Sequence, residues 1–184
     1  MTLSGTVGQT HVALLRGINL GRAKRVAMAD LRAVFVNLGY HDVRTVLQSG
    51  NVVFRAAGGL AAEAAAQIET ALVQHTGVQA AVVLLTAEEL LVVAESNPLL
   101  DVATDPSRLL VTFLAEPPDP VRLHMPDPVT LAPEVVRVGT RAVYQWCPEG
   151  VLASKLPASF WRQFGPSATA RNWRTVTRLV DLVR

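Results

Sequence analysis

A loop rich in glycine and positive charge follows the first apolar segment of the chain. In LRGINLGRAKRVAM (15–28), Gly17 and Gly21 lie on either side of Asn19. Four cationic residues surround them: Arg16, Arg22, Lys24 and Arg25. Backbone N–H groups in such a loop, beside cations and a helix N-terminus, form a natural anion site. The glycine spacing matches neither a dinucleotide-binding fingerprint nor a P-loop, so a purely structural turn is the alternative.

A second polar segment, LQSGNVV (47–53), lies between two β-rich runs. Ser49 and Gly50 suit a tight hairpin turn. Gln48 and Asn51 are polar at positions where a strand more often has Val or Thr. Either side chain could bind a ligand, or the two could hold each other in place.

A third group of polar residues lies near the C-terminus, in LASKLP and in TARNWRT. Lys155 is predicted to contact a phosphate or a carboxylate. A nucleophile pair of Ser154 with Lys155 is disfavoured, because neighbouring residues on a helix point about 100° apart. Thr169 is expected to cap the last helix, and Arg171 and Asn172 follow it.

Positive charge is concentrated at the two ends of the chain, although the net charge is only +2. Basic residues outnumber acidic ones over 16–55 and 137–184, whereas acidic residues dominate 56–136. If the two basic ends converge, they create a cationic surface for an anionic small molecule or a nucleic acid. If they do not, each arginine lies separately on a solvated face.

Residues for metal or nucleophilic chemistry are not grouped in the sequence. The four histidines are scattered without metal-ligand spacing, and no Ser-His-Asp order stands out. Glu89 lies three residues after Thr86 and fits a capping box. Cys147 is the one cysteine, and we interpret it as a partly buried residue at a strand end rather than as a reactive thiol. The sequence therefore predicts no metal, no cofactor and no obvious general base.

The first half of the chain shows the element order β-α-β-β-α-β. Apolar runs predict strands at HVALLR (11–16) and QAAVVLLT (79–86), with a hairpin between them at VRTVLQSGNVVFRA. Spaced apolar residues predict a helix from Met28 that Gly39 ends, and an alanine-rich helix that ends before Gly77. This order is that of a ferredoxin-like (split βαβ) half, with both helices on one face of a four-stranded sheet.

The second half repeats this order less regularly. A strand over 108–115 is followed by the prolines of EPPDP, by a hairpin turning at Gly139-Thr140, and by helical segments at 151–164 and 170–183. The last segment is an amphipathic helix with Trp173 as a core anchor and a polar face lined by Arg171, Arg174 and Arg178. We infer an α+β fold of two related halves, the second degenerate, with a C-terminal amphipathic helix.

The predicted organisation is a disordered tail over 1–10, a ferredoxin-like half over 11–85, a connecting helix and loop over 86–107, and a second α+β half over 108–184. The N-terminus lacks the features of a signal peptide, and no run approaches the roughly 18 apolar residues of a membrane helix. Together with the single cysteine, these features predict a cytoplasmic protein with no membrane partner. The sequence leaves the oligomeric state open.

The polar segments together resemble a bacterial family, domain of unknown function 1697. The resemblance rests on ALLRGINLG, on M..LR....LGY.DVRTVLQSGNVVF, and on SKLP with TARNWRTVTRLVDL. It implies an α+β fold with ferredoxin-like halves but supplies no function. The residues that match the family pattern are Arg16, Gly17, Asn19, Gly21, Lys24, Gln48, Ser49, Gly50, Asn51, Phe54, Lys155, Thr169, Arg171, Asn172, Trp173 and Thr175. The sequence departs from the pattern at His11, where an aromatic residue is common, and at Ala27, where proline is expected.

These residues are compatible with three functions. In the first, the loop over 16–25 and the region of Lys155, Arg171 and Arg174 clamp a phosphate-bearing metabolite or a nucleic acid. Polar recognition of that ligand then comes from Gln48, Asn51 and Asn172. In the second, the protein is an enzyme acting on a phosphorylated or carboxylated small molecule, with Arg16 or Lys155 as an electrophilic stabiliser. In the third, the polar motifs only join two halves of a structural or interaction module and bind no ligand.

Overall fold

Two four-stranded antiparallel sheets and six α-helices make up residues 8–19 and 25–184, the part of the chain that the computed structural model describes. The architecture is therefore α+β, as predicted. The chain divides into two compact units, one of Met1–Leu90 with Leu182–Arg184 and one of Leu91–Asp181. Residues 1–7 of the expected tail lie outside the described residues, and the first strand begins at Gln9 rather than at His11.

The first sheet contains β1 (Gln9–Arg16), β2 (His41–Val46), β3 (Asn51–Ala56) and β4 (Ala81–Thr86) in the order β2-β3-β1-β4. Helix α1 (Met28–Asn37) connects β1 to β2, and helix α2 (Ala64–Thr76) connects β3 to β4. The element order matches the prediction for the first half. Gly39 and Gly77 follow the two helices with φ angles of +86° and +72°, which is why glycine ends each helix there.

Alternate residues of the first sheet pack with both helices in one core. Leu15 and Phe54 from the strands join Phe35 of α1 and Ile68 of α2 in this cluster. Residues of β1 that point to the other face, such as Leu14, are fully buried as well. Burial on both faces explains why β1 is a continuous apolar run rather than an alternating one.

Helix α3 (Ala87–Glu95) begins at the predicted capping box. The Thr86 backbone N–H donates to Glu89 Oε2 at 2.9 Å, and the Glu89 backbone N–H donates to Thr86 Oγ1 at 3.0 Å. Two donors at the helix start are thereby satisfied reciprocally.

The second sheet contains β5 (Leu109–Phe113), β6 (Val135–Val138), β7 (Ala142–Trp146) and β8 (Thr169–Asn172) in the order β6-β7-β5-β8. Helix α4 (Pro128–Leu131) precedes β6, helix α5 (Ala158–Arg162) precedes β8, and helix α6 (Trp173–Val183) follows β8 directly. The predicted hairpin at Gly139-Thr140 is present between β6 and β7. Leu131, Val136 and Phe160 belong to one hydrophobic core cluster of the second unit.

The C-terminal region differs from the prediction, because residues 169–172 form a strand instead of starting a helix. Their backbone pairs with β5, and Arg171 lies opposite Val111. Thr169 is therefore a buried strand residue and not a helix cap. Asn172 caps α6 instead, since its Oδ1 accepts from the Thr175 backbone N–H at 3.0 Å. Pairing with a distant strand outweighs the helical pattern of the local sequence.

The predicted helix over 151–164 is also divided. Residues Val151–Ala153 form a 3₁₀ turn, and α5 starts only at Ala158. Pro157 immediately precedes α5 in an extended conformation. A proline cannot continue the hydrogen-bond ladder of a preceding helix, so the chain starts a new one after it.

Candidate functional site

Asn19 closes the loop between β1 and α1. Its φ of 56° lies in the left-handed region, and Gly17 has a φ of 82°. The Asn19 Oδ1 accepts from the Val26 backbone N–H at 2.9 Å, and its Nδ2 donates to the Val26 carbonyl at 3.2 Å. Nδ2 also donates to the Gln48 carbonyl at 2.7 Å. One side chain therefore joins the two ends of the loop and ties them to the hairpin turn.

The cationic residues of this loop are described only at its ends. Gly21, Arg22 and Lys24 lie outside the described residues, whereas Arg16 and Arg25 are exposed. Helix α1 begins just beyond Arg25, and no described side chain caps its first turn. The first N–H groups of a helix lack intrahelical partners and carry the positive end of the helix dipole. Asp30 in the first turn is the opposing charge.

Asn51 holds the hairpin turn from within. It is fully buried, and its Nδ2 donates to the Val46 carbonyl at 2.8 Å and to Ser49 Oγ at 3.0 Å. Gln48 is exposed and contributes its backbone carbonyl to Asn19. Asn51 thus bonds Val46 and Ser49 within the turn, and a ligand-binding role for Gln48 or Asn51 stays a prediction.

Gly50 is required in this turn for two reasons. Its φ is +78°, which disfavours any side chain. A Cβ on Gly50 would also lie 2.8 Å from Ile18 Cδ1 and 2.9 Å from Leu15 Cβ. The Leu15 backbone N–H donates to the Gly50 carbonyl at 2.8 Å, so the turn lies directly against the end of β1.

Arg171 is a buried cation in the second unit. Its side chain is on the sheet rather than on the polar face of a helix, and only 8% of the residue is exposed. Its Nη1 donates to Thr169 Oγ1 at 2.9 Å and to the Ala170 carbonyl at 2.8 Å. Burial lowers the pKa of the Arg171 guanidinium to about 10, so the group is still charged at neutral pH.

Glu134 is a buried, hydrogen-bonded carboxylate that the sequence analysis did not identify. The residue is buried, and its Oε1 accepts from Gln145 Nε2 at 2.5 Å and from Ser154 Oγ at 2.8 Å. Its Oε2 accepts from the Lys155 backbone N–H at 2.9 Å. The acid stands directly before the apolar strand VVRV, and a charge next to a buried strand is the signal that could have identified it.

Lys155 and Ser154 are thus partners of Glu134. The Lys155 Nζ donates to the Ala132 carbonyl at 2.8 Å. Ser154 Oγ donates to Glu134 and accepts from Gln145 Nε2 and from the Leu156 backbone N–H. A hydroxyl has one proton and two lone pairs, so Ser154 is fully bonded and poorly placed to act as a nucleophile.

A cavity of about 10 Å³, large enough for one water molecule, lies beside Glu134, Ser154 and Lys155. Cys147 lines it as well, and burial together with the Glu134 charge raises the pKa of the thiol to about 12. An open groove of about 320 Å³ in the first unit contains none of the predicted site residues. It is lined by Val34, Asn37, Leu38, Ala71, Gln74 and His75.

Within the described residues, no group of three or more His, Cys, Asp or Glu side chains is placed to hold a metal ion. No helix of residues 8–19 and 25–184 is long and apolar enough to cross a membrane.

The predicted site residues fall into two groups. Arg16, Gly17, Asn19, Gln48, Ser49 and Asn51 are in the first unit, and Lys155, Thr169, Arg171 and Asn172 are in the second. In the first group, Asn19 donates to the Gln48 carbonyl, and Asn51 donates to Ser49. In the second unit, Arg171 contacts Thr169, while Lys155 contacts Glu134. That the two groups form one shared basic site stays a prediction.

Comparison with known proteins gives a family and a fold. A family model described as protein of unknown function (DUF1697) matches residues 9–144, which ends before the SKLP and TARNW segments. Among solved structures, the chain is similar to the conserved bacterial protein SP0830 from Streptococcus pneumoniae, with 25% sequence identity and a TM-score of 0.69. That similarity covers 96% of this chain and 99% of the other. No curated protein matches the chain.

Proposed function

This chain belongs to the DUF1697 family, whose description states no activity, and we propose that it binds a phosphate-bearing anion at the loop between β1 and α1. The observation that carries the proposal is the start of α1 among the described residues. No described side chain caps that helix, and it follows a segment with Arg16, Arg22, Lys24 and Arg25. N–H groups at a helix start together with nearby cations attract anions.

The way the loop is held supports the same proposal. Asn19 spends both of its amide atoms on backbone groups of Val26 and Gln48. A loop that is fixed at both ends loses less conformational entropy when a ligand binds than a free loop does. Asp30 opposes an anion at the start of α1, but it is a single acid against four cations.

A nucleic acid is the second source of phosphate that this loop would accept, but recognition of nucleic acid across the first sheet is disfavoured. The sheet face opposite α1 and α2 carries Leu14, Val53 and Val83, and all three are buried. RNA-binding sheets instead expose aromatic residues for base stacking. A nucleic acid would therefore be bound through its phosphates, with a strong dependence on salt.

Titration calorimetry with inorganic pyrophosphate and with a single-stranded oligonucleotide tests the proposal. Arg25→Gln should weaken binding about tenfold or more, since a hydrogen bond to a charged group contributes about 1.5–3 kcal/mol. Arg178→Gln changes the charge equally on the exposed face of α6 and is the matched control. An equal loss of affinity in both variants would contradict the proposal. So would a wild-type protein that binds neither pyrophosphate nor the oligonucleotide.

A structural module without a ligand is the second candidate, and the bonding of the motif residues favours it. Asn19, Asn51 and Asn172 each use their amide groups on neighbouring backbone atoms. In this case Asn51→Ala should lower the melting temperature while leaving any pyrophosphate binding unchanged. The enzyme hypothesis has no comparable support, since Ser154 is fully bonded and the Cys147 thiol is held protonated.

We further propose that both units are ferredoxin-like. Counted from the first strand of each unit, both sheets have the order 2-3-1-4, with helices after the first and third strands. The second unit is the degenerate one, because α4 has 4 residues where α1 has 10. We also propose a cytoplasmic location, with which a single buried free thiol at Cys147 is compatible.

A further inference from the structure

His11 is a buried histidine with no described hydrogen-bond partner. Only 2% of the residue is exposed, and neither Nδ1 nor Nε2 has a partner among residues 8–19 and 25–184. Its ring packs on Phe54 with the ring centroids 5.7 Å apart. Buried polar side chains are nearly always hydrogen-bonded, so an imidazole in this position is held neutral by its surroundings. Burial accordingly lowers the pKa of His11.

Among residues 8–19 and 25–184, the acid that acts on this ring is Glu89. β3 presents Phe54, and β4 presents Thr86 directly opposite His11, and neither carries a charge. The Tyr40 ring packs on Phe54, and burial raises the pKa of its phenol, so it is neutral as well. α1 and α2 contribute apolar residues to this core. From α3, the Glu89 carboxylate interacts electrostatically with His11 and favours its charged form.

We propose that His11 is an acid-sensitive switch for the first turn of α3. A proton taken up from solvent converts the buried imidazole into an imidazolium. The ring then attracts Glu89, whose Oε2 in the neutral state accepts from the Thr86 backbone N–H. The carboxylate leaves that N–H, and the capping box opens. α3 is the helix within which the chain passes from the first unit into the second.

The direction of the pH effect follows from the pKa. Because the pKa of His11 is lowered on folding, the unfolded chain binds the proton more readily than the folded one. The stabilisation is therefore complete above the ordinary histidine value of about 6.5 and is lost as the pH falls below it.

Amide hydrogen exchange on the full chain between pH 7.5 and 5, corrected for intrinsic exchange rates, tests the switch. The Glu89 amide, which donates to Thr86 Oγ1, should lose about fivefold protection on acidification, the size expected for one lost helix cap. Amides of β1 should keep theirs. His11→Phe should show no such loss, whereas His75→Phe on the exposed side of α2 should behave as the wild type.

Two results would overturn the switch. One is a loss of Glu89 protection in His11→Phe that equals the wild-type loss. The other is an equal loss in β1 and α3 of the wild type, because acid would then unfold the unit as a whole. If His11→Phe does not fold, Glu89→Gln replaces it. A neutral amide can still accept from Thr86 but carries no charge to attract an imidazolium, so the protection of the backbone amide at position 89 should depend on pH less than in the wild type. A pH response of Glu89→Gln equal to that of the wild type would reject the proposal.

Discussion

Replacing Glu134 by glutamine removes one acceptor from a site where three donors converge. Oε1 accepts from Gln145 Nε2 and Ser154 Oγ, and Oε2 accepts from the Lys155 backbone N–H. A glutamine amide has one oxygen and one NH₂ group. In one orientation its NH₂ faces Gln145 and Ser154, and in the other it faces Lys155. Either way at least one donor at this buried position meets another donor.

The expected loss follows from the better of the two orientations. With the NH₂ group toward Lys155, one hydrogen bond to a charged acceptor is lost, which is worth about 1.5–3 kcal/mol. The Gln145 and Ser154 bonds remain but become bonds to a neutral oxygen. Relief from burying a carboxylate offsets part of this loss. We expect Glu134→Gln to lower the free energy of unfolding by about 2 kcal/mol.

Urea unfolding followed by circular dichroism measures this loss, provided that the dependence on urea concentration is unchanged. Glu149→Gln is the matched control, because Glu149 lines the same cavity but is exposed. It should stay within about 0.5 kcal/mol of the wild type. A Glu134→Gln variant as stable as Glu149→Gln would refute the reasoning, since the three bonds would then contribute no more than the cost of burying the carboxylate.

Three further predictions concern the turn, the last helix and alkaline pH. Gly50→Ala should lower the free energy of unfolding by about 2–4 kcal/mol, because it places a side chain at a disfavoured φ and adds a Cβ contact below 3 Å. Gly58→Ala, with a φ of +76° but open space around the Cβ, should lower it by only about 1 kcal/mol. Equal losses in the two variants would contradict the packing argument. Asn172→Ala should remove about 1 kcal/mol of stability in thermal melts, because it removes the N-cap of α6. Thr177→Ala on the exposed face of α6 should change the stability by less than about 0.5 kcal/mol. A smaller loss for Asn172→Ala than for Thr177→Ala would argue against the cap. Burial raises the pKa of both Cys147 and Tyr144 to about 12 from ordinary values of 9.0 and 10.0, so stability should be full below pH 9 and decline as the pH rises toward 12; urea midpoints that stay constant from pH 7 to 11 would contradict this.

The first unit was predictable from the sequence because local pattern and tertiary structure agree there. The apolar spacing from Met28 to Leu38 gives one buried face of α1, and Gly39 has the positive φ that a helix end requires. The capping box at Thr86 and Glu89 is a pattern of two residues with a known geometry, and both of its bonds form. In each case the residues that carry the signal are neighbours in the sequence.

The second unit was harder to predict because its decisive contacts are distant in sequence. β8 has only four residues, TARN, without an apolar alternation, and it continues directly into α6. Its strand state comes from pairing with β5, about sixty residues earlier in the chain. The hydrogen-bond donors to Glu134 include Ser154 and Lys155, which lie about twenty residues further along the chain. No local pattern encodes either contact.

The motif residues that the sequence singled out separate into two kinds once their bonds are known. Asn19, Asn51 and Asn172 satisfy backbone groups, so their substitution should act first on stability. Arg25 is an exposed cation on the loop that Asn19 fixes, so its substitution should act on anion binding with little effect on stability. A binding site and a structural joint predict different results for the same pair of variants. A lowered melting temperature in Asn51→Ala is expected in either case. Loss of pyrophosphate binding in Arg25→Gln at an unchanged melting temperature is expected of a ligand-binding loop and not of a structural joint.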